Sequence, residues 1–183
     1  LNPNGSLIAR WGGKGNDDGK FHSPWGLCLT HDNSVLVADH LNNRIQKFTA
    51  TGNHLLTIGE SGLDTNTLNH PSDVATDSAG DIYVADWVNN RIQIYDKDGY
   101  YVLSMYGSAN ELSKWQKQYV NGNPDVHKAR RRVASLELET FFALPTCVEY
   151  DDISDRLYVV DSQRWRIQVF EKLDGYSQPQ FNI

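Results

Sequence analysis

Three stretches of this chain can be written one above another, and that repetition constrains the fold more than any other feature. The first begins at Phe21, the second at Leu68 and the third at Phe142. Pro24, Pro71 and Pro145 are equivalent, as are Asp39, Asp86 and Asp161, and again Arg44, Arg91 and Arg166. The first step is 47 residues at all three positions and the second is 74 or 75, so about 28 extra residues separate the second copy from the third. A unit repeating at such a period cannot bury its apolar face alone, so neighbouring copies must stack on one another.

Each copy reads as four short strands. After the proline comes an apolar run, at Gly26–Leu29, Val74–Thr76 and Cys147–Tyr150, suited to a buried innermost strand. A second strand follows a polar turn, at Val35–Ala38, Ile82–Ala85 and Leu157–Val160. The third is the alternating R-I-Q-x-[FY] pattern of Arg44–Phe48, Arg91–Tyr95 and Arg166–Phe170. Its period of two turns Ile45, Ile92 and Ile167 to one side and their Arg and Gln neighbours to the other. Glycine turns at Thr51-Gly52, Asp98-Gly99 and Asp174-Gly175 suit a reversal into a fourth strand.

Four-stranded units at this spacing predict an all-β chain of the β-propeller class. The expected layout is one partial domain with blades at 21–60, 68–107 and 141–183. Residues 1–20 would supply the outer strand of a preceding blade, Leu7–Trp11, and a link. A six-bladed ring needs roughly 270 residues at about 45 per blade, so the other blades are expected from a longer chain or a second copy.

Composition removes several alternatives. With 39% hydrophobic and 22% charged residues, the chain is not a disordered acidic tail. No apolar run reaches about 18 residues, so no membrane-spanning helix is expected, and no targeting segment is visible. A net charge of −6 argues against a surface built throughout to grip nucleic acid. Cys28 and Cys147 are too few for a disulfide scaffold and read as buried free thiols.

The repeat core, VLVADHLNNRIQ at 35–46 and IYVADWVNNRIQ at 82–93, resembles the NHL-repeat family of β-propellers. The third copy, LYVVDSQRWRIQ, departs from it, with Gln163 and Trp165 read as replacing the loop asparagines. Asp39 with Arg44, Asp86 with Arg91 and Asp161 with Arg166 form one acid–base pair per repeat. A catalytic group is expected once per site, so these pairs read as braces across a loop.

Residues 108–140 interrupt the pattern and read as a helical hairpin. Leu112, Trp115 and Tyr119 lie at helical spacing, Asn121-Gly122 is a stop, and Asn123-Pro124-Asp125 is a new start with Asn123 as cap. Val126, Ala129 and Val133 would form the apolar stripe of the second helix. Between 108 and 133, Lys114, Lys117, Lys128, Arg130, Arg131 and Arg132 stand against Glu111 and Asp125. The insertion joins the last strand of one blade to the first of the next. It should therefore share a face with the loops His40–Asn43, Trp87–Asn90 and Ser162–Trp165. That face concentrates Trp25, His40, Trp87, Arg164 and Trp165, to which the insertion adds Trp115, Arg130 and Arg131. Exposed Trp and Arg dominate binding hot spots, so these residues are the candidate binding site.

Catalytic chemistry has little support in the spacing. A zinc-dependent lyase among the resembling proteins carries its histidines directly after the first-strand prolines, where this chain has Trp25, Ser72 and Thr146. The six histidines share no offset, and no zinc site with three converging ligands can be assembled. The expected function is a non-catalytic scaffold whose loop face docks a protein or peptide, with no cofactor or metal. Two alternatives accompany it. Some NHL propellers bind single-stranded RNA through a basic face, and a metal-dependent lyase or hydrolase could draw its ligands from the other blades.

Overall fold

Each repeat forms a meander of antiparallel strands in which sequence neighbours pair. In the computed structural model, which describes residues 5, 7–109, 111–133, 136 and 139–172, the first blade contains β1 (Pro24–Leu29), β2 (Val35–Asp39), β3 (Arg44–Phe48) and β4 (His54–Ile58). They pair in the order β1-β2-β3-β4. A short parallel pair, β5 (Glu60–Ser61) and β6 (Thr67–Leu68), lies in the link to the second blade. That blade is β7 (Pro71–Thr76), β8 (Ile82–Asp86), β9 (Arg91–Tyr95) and β10 (Tyr101–Met105). Two helices follow, α1 (Lys114–Gly122) and α2 (Pro124–Arg131), and then the third sheet, β11 (Pro145–Asp151), β12 (Arg156–Asp161) and β13 (Arg166–Glu171). The reversal expected at Asp174-Gly175, and the strand after it, lie outside the described residues.

Proline opens the inner strand of every blade, the one strand position where a missing N–H costs no interior ladder bond. A register irregularity follows it each time, and the residue before it has positive φ: Ser23 at 59°, His70 at 55° and Leu144 at 50°.

The core lies between blades rather than within them. Leu36, Ala38 and Ile45 of the first blade pack against Val74, Val84 and Tyr95 of the second. Tyr83, Ala85 and Ile92 of the second meet Val148, Leu157 and Val159 of the third. The middle blade, flanked on both sides, has β8 and β9 buried along their whole length. The equivalent isoleucines show the rule: Ile45 and Ile92 are 0% exposed, whereas Ile167, with no described blade beyond it, is 64% exposed. Leu27 and Leu29 are likewise open on the far side of the first blade.

Two expectations fail. Residues 7–11 form no strand, and Leu7 and Ile8 are exposed. An outer strand pairs with the third strand of its own blade, and no such strand precedes it among the described residues. Trp11 packs instead on Phe48, with ring centroids 4.8 Å apart. Cys28 is only half-buried and Cys147 is exposed, both free. Strand alternation with the buried Val148 leaves Cys147 exposed, its thiol beside Asp73 of the second blade.

The acid at the end of each second strand is fully buried and collects donors from the loop around it. Asp39 accepts from His22 N (2.7 Å), Asn42 Nδ2 (2.8 Å), Arg44 Nε (2.9 Å) and Gln46 Nε2 (3.0 Å). Asp86 accepts from Asn69 N (2.7 Å), Asn89 Nδ2 (2.8 Å), Arg91 Nε (2.7 Å) and Gln93 Nε2 (3.2 Å). Asp161 accepts from Ala143 N and Arg166 Nε, both at 2.7 Å, and from Gln168 Nε2 at 3.0 Å. Each arginine then reaches onward to two carbonyls of the incoming link: Asp17 and Lys20, Asp64 and Thr67, Thr140 and Phe141. A buried carboxylate is tolerable only when so fully paired.

Candidate functional site

The loop asparagines are not interchangeable. Asn42 and Asn89 turn inward to the buried acid. Asn43 and Asn90 have φ 55° and accept from the next blade, at His70 N (2.8 Å) and Leu144 N (2.7 Å). In the third copy the strand register places Arg164 and Trp165 at these two positions, not Gln163 and Trp165 as the sequence alignment suggested. Trp165 therefore holds the left-handed conformation (φ 50°) with a side chain that is 85% exposed.

The insertion grows from the middle of a link whose ends are fixed. Gly12, Gly59 and Gly107 all have φ between 86° and 88°, and a Cβ there would meet Phe21, Leu68 and Phe142 respectively. The insertion lies between Gly107 and Phe142. At its base Ala109 N donates to Thr140 O (3.1 Å) and Phe142 N to Tyr106 O (2.8 Å). Helix α1 starts at a capping box: Ser113 Oγ accepts from Gln116 N (3.3 Å), and Gln116 Oε1 accepts from Ser113 N (3.1 Å). The expected cap at Asn123 is different. Its side chain donates to Tyr119 O (2.8 Å) at the end of α1 and makes no cap bond for α2. Neither helix has a buried residue, so the expected stripe of Val126, Ala129 and Val133 is not a packed face; Val133 is 53% exposed.

What anchors the hairpin is polar. Gln116 Nε2 donates to Arg164 O (2.7 Å), joining α1 to the loop of the third blade. Between them lies a cavity of about 760 Å³. Trp115 and Tyr119, four residues apart on one face of α1, form one wall, and Trp165 with Arg164 forms the opposite one. Leu112, Val120 and Val126 add an aliphatic part to the lining. One end is closed by Arg130, whose Nη1 makes a forked pair with both oxygens of Glu139 at 2.8 and 2.6 Å. Trp115, Tyr119 and Trp165 are each more than 60% exposed. No ring contact joins Trp165 to the helix, which leaves the space between the walls open.

The other candidates form a second group at the junction of the first two blades. Trp25 stacks on His40 (3.7 Å, 10° between planes), and Trp87 lies 5.8 Å from Trp25 and 5.7 Å from His40. His70, which sequence reasoning passed over, stands edge-on to His40 at 5.0 Å. His40 is 4% exposed, and its Nδ1 lies 3.2 Å from Pro71 O. Burial, aided by the neighbouring His70, holds its pKa below the ordinary imidazole value. This group is largely packing across a blade boundary, with Trp25 its open member.

Arg131, expected in the site, lies outside the groove lining and makes no ion pair among the described residues. Residues that sequence reasoning did not single out for the site are Gln116, Tyr119 and Glu139. Tyr119 was visible only as one of a stripe that reads equally as core. Among the described residues no three His, Cys, Asp or Glu side chains gather to hold a metal, and no helix is long and apolar enough to cross a membrane.

Four-stranded blades that share their core across blade boundaries, with polar loops braced at one end, define a β-propeller architecture. Residues 21–48 and 68–95, in the first two blades, match the NHL repeat family. Over the same kind of segment the chain is 45% identical across 42 residues to the E3 ubiquitin-protein ligase TRIM71 of Xenopus tropicalis, 23% of this chain and 5% of that protein. It is 42% identical across 48 residues to protein lin-41 of Caenorhabditis elegans, 26% of this chain and 4% of that protein. The matched stretches thus span about one-twentieth of these relatives. A solved structure from Bacteroides thetaiotaomicron, described as a candidate phosphatase, superposes with a TM-score of 0.51 at 15% identity. It covers 80% of this chain and 34% of its own, a likeness of fold alone.

Proposed function

We propose that this chain is a binding module without catalysis of its own, which docks a protein or peptide on the loop face of its propeller. The observation that carries the reading is the groove between α1 and the third-blade loop. Three large aromatic side chains stand exposed around an open space, held there by a capping box and a cross-element hydrogen bond rather than by packing. Side chains of this kind cost apolar exposure when free and return it when a partner covers them. Their neighbour Gln163 offers hydrogen bonds of the sort that orient a polypeptide backbone.

An RNA-binding face is less well supported by the charges. Of the six basic residues between 108 and 133, Lys117 pairs with Glu111, Lys128 approaches Asp125 and Arg130 is held by Glu139. Phosphate binding needs such cations uncommitted.

The test is cross-linking of the full-length protein in its source cells, followed by identification of linked peptides. The reading expects a polypeptide linked through Lys114 or Lys117. That link should be lost in the Trp115→Ala/Trp165→Ala double variant and kept in Ile153→Ala, a change at an equally exposed turn (97%) of the same blade. Links confined to other faces, or unchanged in the double variant, would refute it.

A further inference from the structure

Taking the groove as a docking seat, the chemistry around it also specifies what it seats. We propose that its occupant is an extended acidic peptide segment that buries one aliphatic or aromatic anchor between Trp115, Tyr119 and Trp165.

The anchor follows from the lining. The lining combines aliphatic Leu112, Val120 and Val126 with the aromatic Trp115, Tyr119 and Trp165, so the site rewards an apolar side chain. The charge that would meet a basic anchor, Glu139, is already taken by the two bonds from Arg130. A lysine or arginine inserted there would compete with a guanidinium that is fixed in the same geometry. The extended form follows from size. Helix α1 has nine residues, about 13 Å at ~1.5 Å each. That wall matches about four residues of extended chain at ~3.3 Å each.

The acidic character follows from the distribution of charge. Residues 108–133 carry six basic side chains against two acidic ones, a net of +4, so the remaining chain carries −10 of the total −6. Within the hairpin that forms the groove, the cations left without an ion pair among the described residues are Lys114, Arg131 and Arg132. Lys114 also lies over the Trp115 ring at 5.5 Å. The net charge of the propeller body repels an acidic segment and that of the hairpin attracts it, so the field both steers it and favours this landing place. A single-stranded RNA shares that attraction and finds aromatic planes to stack on; the aliphatic part of the lining, Leu112, Val120 and Val126, favours an apolar side chain, and an oligonucleotide is therefore one arm of the test.

The probe is a phage-displayed library of random dodecapeptides, selected on the immobilised full-length protein and counter-selected on its Trp115→Ala/Trp165→Ala variant. Enriched sequences should be net acidic around a Leu, Ile, Phe or Trp. A synthetic representative should bind at least tenfold more weakly to Arg131→Glu/Arg132→Glu, and more weakly as salt rises. Enrichment that depends on the two tryptophans but shows no acidic bias overturns the acidic assignment and leaves the docking reading standing. No tryptophan-dependent enrichment overturns both. Binding of a U12 oligonucleotide, lost in the Arg131/Arg132 variant while no peptide binds, replaces both with an RNA site.

Discussion

Asp86→Asn in the middle blade separates a structural role for the repeat acid from any chemical one. The substitution keeps the side-chain shape and leaves one oxygen to accept from Asn69 N at the Asp86 Oδ1 position. The new amide NH₂ would face Arg91 Nε, Asn89 Nδ2 and Gln93 Nε2, three donors that now converge on one carboxylate oxygen. Arg91 is 2% exposed, so its charge loses its partner where water cannot replace it. Removing one member of a buried ion pair costs about 3–5 kcal/mol, and the retained bond to Asn69 N places this change near ~3. For a chain of this length that is a fall in Tm of roughly 6–12 °C. Asp161→Asn should cost less, because Asp161 gathers three donors where Asp86 gathers four. Urea denaturation of both variants and of the Asp86→Asn/Arg91→Met double variant reads the result. The double variant should be less destabilised than the sum of the singles by at least ~1 kcal/mol. A loss below about 1 kcal/mol for Asp86→Asn, or strict additivity, would refute the account of the brace.

Three further outcomes follow from single features. Asn90→Ala removes both a left-handed conformation that Asn tolerates and the bond to Leu144 N, so it should cost about 1–2 kcal/mol in urea denaturation. Trp165→Asn at the equivalent third-blade position should be neutral or mildly stabilising. Because burial keeps the folded-state pKa of His40 below its ordinary 6.5, the unfolded chain takes up the proton first. Its contribution to stability is complete above about pH 6.5 and falls as pH drops through that value, and His40→Phe should flatten the Tm difference between pH 7.5 and 5.5. Ser113→Ala should loosen α1 by about 1 kcal/mol, seen as faster exchange of the Gln116 and Lys117 amides with global unfolding unchanged, since no residue of α1 is buried.

The elements legible in the sequence are those whose signal repeats. Arg44–Phe48 and Arg91–Tyr95 match the strands residue for residue, because the alternation and the loop pattern occur together in each copy. The Asp–Arg pairing was readable for the same reason. What a single repeat cannot show is contact between repeats. His40 and Trp87 read as exposed loop residues, yet Trp25 from β1 packs on both rings and His70 stands edge-on to His40, making a blade boundary. Trp115 and Tyr119 presented the opposite problem: helical spacing of apolar residues signals a buried stripe, and only the placement of α1 shows that the stripe faces open space. The pairing of Arg130 with Glu139 crosses the end of the hairpin and has no sequence signature. The misread of Asn123 had a local cause, since an Asn followed by Pro suits a helix start, while the short link also lets it reach back to Tyr119 O.

The position of the hairpin follows from how the link between blades is held. In each copy a left-handed glycine presses against an apolar residue at the far end of the link, Gly12 on Phe21, Gly59 on Leu68 and Gly107 on Phe142. The brace arginine then fixes two carbonyls among the four residues before that apolar residue. Both ends of the link are thus determined by contacts that do not involve its middle, and the closure cost of a longer middle grows only slowly with length. The third link could therefore lengthen into two helices without disturbing Asp161, Arg166 or the blade behind them. The same arginine that holds Thr140 O and Phe141 O also lines the groove, so the element that permits the insertion sets the height at which Trp165 meets it. If the groove is the docking seat proposed above, its rigidity comes from the repeat and its specificity from the insertion.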